Sequence, residues 1–125
     1  MSVIIAGHFH TQDEVHATVE ELARLDFAAS EYAAYFREPG RGLFDLADAL
    51  FGGNPTAGGP MVAVCVDRPG TEAAAILLLS RRGAWEIERA EGEWREGGWR
   101  DYDPHAPREI LKVIPGAQGH GPETG

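Results

Sequence analysis

Two histidines near the start of the chain, His8 and His10, have the residue type and the spacing with which many metal sites begin. They end the apolar stretch Val3–His10, which predicts a β-strand because β-branched residues favour a pleated surface. Side chains two residues apart on a strand point to the same face and lie roughly 6–7 Å apart. An imidazole pair of this kind binds zinc or iron once a third ligand is present. The sequence does not identify that ligand; the candidates elsewhere in the chain are His16, Glu31 and Asp67.

Two other interpretations of His8 and His10 stay open. The pair can be two half-exposed histidines at a strand end that bind nothing, or one of them can transfer protons, because imidazole titrates near neutral pH. The sequence has no phosphate-binding Gly-x-x-x-x-Gly-Lys loop, no dinucleotide-binding glycine pattern and no Gly-x-Ser-x-Gly nucleophile elbow. We therefore predict no cofactor and no catalytic residue, and an enzyme is the less favoured class.

The composition is that of a small acidic protein with 125 residues and a formal net charge of −9. That charge argues against nucleic acid as a partner, because phosphate recognition needs a basic surface, and against an anionic membrane surface. No apolar run approaches the roughly 20 residues that span a bilayer, and no signal-peptide pattern is present, so we predict a cytoplasmic protein. The single cysteine, Cys65, lies in an apolar run and predicts a buried, inert thiol.

The spacing of apolar residues predicts the order strand, helix, strand, loop, strand, helix, strand. Thr11 and Glu14 predict a capping box that begins the first helix. The stretch Phe27–Glu38 predicts the second strand, with a helix as the alternative. The densest apolar stretch is Pro60–Glu91, which predicts a compact strand–helix–strand unit. Its members are a strand over Val62–Val66, a helix with Thr71 as its predicted N-cap and a strand over Trp85–Arg89.

Two strand–helix–strand halves in one short chain predict an α+β fold, a ferredoxin-like plait (βαββαβ). It would have a four-stranded antiparallel sheet with two helices on one face. We predict a single domain over residues 1–114 and a disordered Gly/Pro-rich tail over 115–125. A short helix is predicted in the middle loop over Leu43–Phe51, and Glu109–Ile114 can add an edge strand. An acidic run predicts a solvated edge and contains Glu86, Glu88, Glu91, Glu93 and Glu96.

Strand alternation assigns the apolar residues to two faces of the predicted sheet. The face towards the helices contains Val3, Ile5, Phe9, Val62, Val64 and Val66. The open face contains Ile4, Ala6, His8, His10, Met61, Ala63 and Cys65. Because an apolar open face needs a cover, either a second copy of the chain or the aromatic segment 94–102 is expected to lie on it.

Two further surfaces are candidates for an interface or for ligand binding. One is the apolar side of the predicted middle-loop helix, which consists of Leu43, Leu46, Leu50 and Phe51. The other is the aromatic segment near the end of the chain, which consists of Trp94, Trp99 and Tyr102. Long loops inside compact domains often carry function, and clustered aromatic side chains cover apolar surface.

Several stretches together resemble the bacterial general stress proteins of the heat-induced stress protein YflT type. They are VIIAGHFHTQDEVHATVEELARLDF, PMVAVCVD, EAAAILLLSRRGAWEIE and the closing EGGWRDYDP, and the resemblance covers residues 3–104. It implies two short βαβ units around a glycine-rich middle, and an association with stress. It supplies no catalytic residue, and the glycine-rich middle is short here, at Gly40–Gly59.

Three functions follow as hypotheses. The first is a non-enzymatic α+β binding or self-association module that forms a homodimer. The second is a metal-binding or acid/base enzyme that uses His8 and His10. The third is a regulatory domain that binds a small-molecule ligand, which rests on analogy between folds.

Overall fold

Two α-helices pack on one face of an antiparallel β-sheet in the computed structural model, which describes residues 1–38, 42–45, 60–103 and 106–113. The α+β class is therefore confirmed. The helices are α1 (Gln12–Arg24) and α2 (Thr71–Arg81), and a 3-10 turn spans Ala29–Glu31. The strands are β1 (Ser2–His8), β2 (Tyr32–Glu38), β3 (Gly42–Asp45), β4 (Pro60–Cys65), β5 (Glu86–Gly92), β6 (Trp94–Arg95), β7 (Gly98–Trp99) and β8 (Glu109–Val113).

The main sheet has six strands among the described residues, in the order β3-β2-β4-β1-β5-β8, and every pairing between neighbours is antiparallel. A plain four-stranded sheet was therefore a wrong prediction. The four predicted strands are β1, β2, β4 and β5, which lie side by side in the middle. The sheet is wider because β3 extends it beyond β2 and β8 extends it beyond β5, as the Glu109–Ile114 pattern indicated.

Helix α1 begins at the predicted capping box. The Thr11 hydroxyl accepts from the Glu14 amide at 3.1 Å, and the Glu14 carboxylate accepts from the Thr11 amide at 3.1 Å. These bonds satisfy backbone donors that the first turn of a helix leaves without partners. The buried side of α1 contains Val15 and Leu22, which pack against the sheet. Neither helix among the described residues has the length and apolar character needed to cross a membrane.

The second strand is shorter than Phe27–Glu38, because side-chain hydrogen bonds turn the chain before it. Arg68 donates to both carboxylate oxygens of Glu31, at 2.6 and 3.0 Å, and also to the Asp26 carbonyl at 3.2 Å. Glu31 in turn accepts from the Ala28 amide at 2.8 Å. This network stabilises the 3-10 turn, and the extended strand begins only at Tyr32. The alternative of a helix over the strand is wrong.

Replacing Glu31 with glutamine should lower the midpoint of thermal unfolding near neutral pH, with a smaller effect in acid. The Arg68 guanidinium holds the pKa of Glu31 below its ordinary value of 4.5. A carboxylate with a lowered folded-state pKa stabilises the fold fully above its unfolded-state pKa, and this stabilisation is lost as pH falls through the folded-state pKa. Thermal unfolding of Glu31→Gln and wild type from about pH 7 to about pH 3 tests this. A difference in midpoint that stays constant over that range would contradict it.

The middle-loop helix predicted over Leu43–Phe51 is wrong where the structure describes it. Leu43 to Asp45 lie in β3, which pairs with β2 in the register Phe36↔Phe44 and Arg37↔Leu43. The prediction used the helical spacing of three leucines, whereas a neighbouring strand edge offers backbone partners that local spacing does not reveal. Leu46, Leu50 and Phe51 lie outside the described residues, as does the predicted tail, 115–125.

The sheet buries both of its faces. The helix-side core contains Ile5, Phe9, Val62, Val64 and Val66 as predicted, together with Leu22, Leu78, Leu79 and Ile87. The opposite face has a second buried cluster, which consists of Ile4, Ala6, Met61, Ala63 and Trp99. The middle strands are therefore apolar on both sides, and any polar side chain on them needs a partner inside the protein.

Candidate functional site

A hairpin of the chain itself covers the sheet face opposite the helices. β6 and β7 pair with Trp94 opposite Trp99, around a two-residue turn at Glu96 and Gly97. Both turn residues have positive φ, 54° and 73°, which matches the tight turns that favour glycine. Trp99 is only 8% exposed and belongs to the same buried apolar cluster as Ile4.

Hydrogen bonds fix this hairpin on the sheet. The Trp94 indole N–H donates to the Ser30 carbonyl at 2.7 Å, and the Trp99 amide donates to the Tyr35 hydroxyl at 3.1 Å. The rings of Trp99 and Tyr102 meet edge to face, with centroids 4.8 Å apart. Of the two covers expected from the sequence, the structure therefore contains the aromatic segment, and burying this face requires no second copy.

A buried histidine lies beside the covered face, at the end of β1. His8 is fully buried and stands opposite Glu86 in the antiparallel register of β1 and β5. Glu88, two residues further along β5, projects from the same face and is also fully buried. The His8 Nε2 atom lies 3.3 Å from a carboxylate oxygen of Glu88. Adjacent strands thus place one imidazole and two carboxylates side by side.

Arg108, the residue directly before β8, brings a positive charge to this site. Its Nε forms an ion pair with Glu88 Oε1, and its side chain is about a quarter exposed. The register between β5 and β8 shifts between Ile87 and Glu88, so the strand pairing is irregular at the buried carboxylate. An unpaired buried carboxylate would cost several kcal/mol, roughly the desolvation penalty of one ion. The guanidinium therefore offsets the burial of Glu88.

His8 has no comparable partner. Neither of its ring nitrogens makes a hydrogen bond, although both are buried, and the contact with Glu88 has the distance of an ion pair without hydrogen-bond geometry. A buried polar atom without a partner costs about 1–3 kcal/mol. Buried polar atoms without a partner in a native fold call for an explanation, and a bound ion is one of the usual ones.

The donor atoms of His8, Glu86 and Glu88 all lie within 4.8 Å of one another. One imidazole and two carboxylates form a ligand set that suits zinc and other first-row divalent ions. Zinc–nitrogen and zinc–oxygen bonds of about 2.0–2.2 Å place tetrahedral donors about 3.5 Å apart. Small side-chain rotations that bring the three donors together would therefore form a metal centre.

The structure does not bring His10 into this group. β1 ends at His8, and the His10 amide donates to the Glu14 carboxylate as the chain turns into α1. The exposed His10 ring stacks on Trp85, with ring centroids 6.0 Å apart, and the His8 ring is tilted against the same Trp85, with centroids 5.8 Å apart. The strand alternation that predicts the histidine pair ends at His8, two residues before His10. His8 is also buried, whereas half-exposure was expected.

The third ligands suggested by the sequence have other partners. His16 is exposed and lies 3.3 Å from Glu20 on the same helix, Glu31 pairs with Arg68, and Asp67 accepts from the Val3 amide at 2.9 Å. The residues that sequence reasoning missed are Glu86, Glu88 and Arg108. The first two were assigned to a solvated acidic edge, which is wrong for Glu88 because β5 lies between β1 and β8.

Cys65 lies away from this site and is half-buried at the end of β4. Its thiol donates to the Asp67 carboxylate at 3.5 Å. Burial raises the pKa of the Cys65 thiol, and the nearby Asp67 charge acts in the same direction. The reactive thiolate is therefore disfavoured, as expected for an inert cysteine.

No protein-family model, no curated protein and no solved structure matches this chain. The resemblance to general stress proteins therefore stays a prediction.

Proposed function

We propose that the chain is a non-enzymatic binding module for a divalent transition-metal ion, with zinc as the first candidate. His8, Glu86 and Glu88 supply the ligands. One imidazole and two carboxylates match the nitrogen and oxygen donors that zinc accepts. This proposal combines two of the functions expected from the sequence, a binding module and a metal site. It replaces His10 with two glutamates of β5.

The observation that carries the proposal is the buried imidazole of His8. Both ring nitrogens lack hydrogen bonds, and two carboxylates lie within 4.8 Å. A metal ion would bind one ring nitrogen of His8 and balance the negative charge of the two carboxylates, so it would give that nitrogen a partner inside the protein.

Burial favours a closed metal site over an acid/base centre. His8 and Glu88 have no exposed surface, and only Glu86 reaches partial exposure. General acid or base catalysis requires the side chain to come within hydrogen-bond reach of a substrate. A metal ion, in contrast, needs no access to a substrate, and its binding to ligands that the fold brings together contributes directly to folding.

Replacing His8 with alanine should abolish stoichiometric zinc binding, and replacing His10 with alanine should leave it intact. The expected effects differ because His8, unlike His10, lies beside the carboxylates of Glu86 and Glu88. Calorimetric titration of zinc into chelator-treated protein measures both variants against wild type. A wild-type protein that binds no zinc would overturn the proposal, and so would equal losses in the two variants.

The four middle strands support a ferredoxin-like interpretation of the fold. Their order is β2-β4-β1-β5, with one helix following β1 and the other following β4. We interpret β3, β8 and the β6–β7 hairpin as additions to that plait. A stress association, a cytoplasmic location and a homodimer remain proposals, and self-association through the covered sheet face has no support in the arrangement of the hairpin.

A further inference from the structure

Arg108 and a metal ion would share one carboxylate. The Arg108 guanidinium contacts Glu88 Oε1, while Glu88 Oε2 faces His8 at 3.3 Å. Without metal, the Arg108 guanidinium is the cationic partner of the buried Glu88 carboxylate. A divalent ion is neutralised by the two carboxylates alone, so the guanidinium then becomes excess positive charge within the site. Charges of the same sign repel strongly where water is excluded.

The strand that follows this arginine lies at an edge of the described part of the sheet. β8 lies at the outer side of β5, and its register with β5 is interrupted at Glu88. Ile110 and Val113 are each 46% exposed, whereas Leu111 packs against the helix-side core, so the strand buries only part of its apolar surface. The Lys112 ammonium adds a polar contact to this strand by donating to the Ser80 hydroxyl at 2.7 Å. Segments with few buried contacts open at a lower free energy than the core does.

We propose that Arg108 and the metal ion compete for Glu88, so that metal binding displaces Arg108 and loosens β8 from the edge of the sheet. This inference rests on the proposed metal site. It makes the site a switch, in which the ion and the arginine stabilise two arrangements of the same edge strand. The state with Arg108 bound is the one that the structure shows, and the metal-bound state exposes the outer edge of β5 for pairing with another strand.

The first arm of the test compares zinc affinities of three arginine variants. Arg108→Gln removes the competing charge and should raise the affinity about tenfold or more. Arg108→Lys keeps the charge and should bind zinc nearly as wild type does. Arg89→Gln is the matched control, because Arg89 is the neighbour of Glu88 on β5 but pairs with Glu72 of α2 at 2.9 Å. Its affinity should equal that of wild type.

The second arm uses only the wild-type protein, so it does not depend on any variant folding. Hydrogen–deuterium exchange is measured with and without zinc, and the amides of β8 should exchange faster in the zinc-bound protein while those of β1 and β4 do not. An unchanged affinity in Arg108→Gln, or an unchanged or slower exchange of β8, overturns the competition and leaves the metal site standing. A wild-type protein that takes up no zinc overturns the metal site and the competition together.

Discussion

Replacing Glu88 with alanine is expected to lower the free energy of unfolding by about 3–5 kcal/mol in metal-free protein. Glu88 is fully buried and pairs with Arg108, whose side chain is mostly buried as well. Removing one partner of a buried ion pair leaves the other charge without compensation, and this cost exceeds the attraction that is lost. Against the roughly 5–15 kcal/mol that stabilises a domain, this would bring the protein close to unfolding.

Urea unfolding in the presence of a chelator measures this effect, with Glu91→Ala as the control. Glu91 lies on the same strand but is exposed, so its replacement should change the free energy by no more than about 0.5 kcal/mol. The double variant Glu88→Ala/Arg108→Ala should be destabilised less than the sum of the two single changes, because neither charge is then left alone. Equal effects of Glu88→Ala and Glu91→Ala would show that the buried pair is absent in solution.

Replacing Trp99 with alanine is expected to cost about 3–5 kcal/mol, the usual effect of removing a large buried aromatic side chain. Trp99 is 8% exposed and seals the cluster of Ile4, Ala6, Met61 and Ala63. Without the indole, the hairpin loses its main apolar contact with the sheet. The exposed apolar face should also promote association between copies, because large apolar patches on monomers mark interaction surfaces.

Two measurements separate these consequences for Trp99. Chemical unfolding of Trp99→Ala is compared with that of Leu77→Ala, since Leu77 on α2 is 66% exposed and its truncation should have little effect on stability. Light scattering then compares the mass of Trp99→Ala with that of wild type, and a rise is expected only in the tryptophan variant. A loss below about 1 kcal/mol with no change in mass would mean that the hairpin does not act as a cover.

The parts of the fold that were predictable are those that nearby residues determine. The capping box of Thr11 and Glu14 is set by residues three apart, and it is present as expected. The two faces of β1 and β4 follow from strand alternation in runs that are apolar throughout. Leu43–Asp45 was predicted as a helix because its local spacing is helical, and it is a strand because β2 provides a pairing edge.

The site could be predicted only in part, because the sequence does not reveal the register in which β1 and β5 pair. The sequence indicates that His8 lies at a strand end and that Glu86 and Glu88 share one face of another strand. It does not indicate that Glu86 stands opposite His8, because a slip of one residue would turn both glutamates to the other face. Arg108 belongs to the site through the pairing of β8 with β5, and no local pattern marks it.

The central claim is that His8, Glu86 and Glu88 bind one divalent ion. The most direct measurement is an anomalous-difference map from crystals grown with zinc, recorded above and below the zinc absorption edge. We predict a single strong peak about 2.0–2.2 Å from a ring nitrogen of His8 and from carboxylate oxygens of Glu86 and Glu88. A map with no peak at these residues, or with its strongest peak at His10 or Cys65, would contradict the claim.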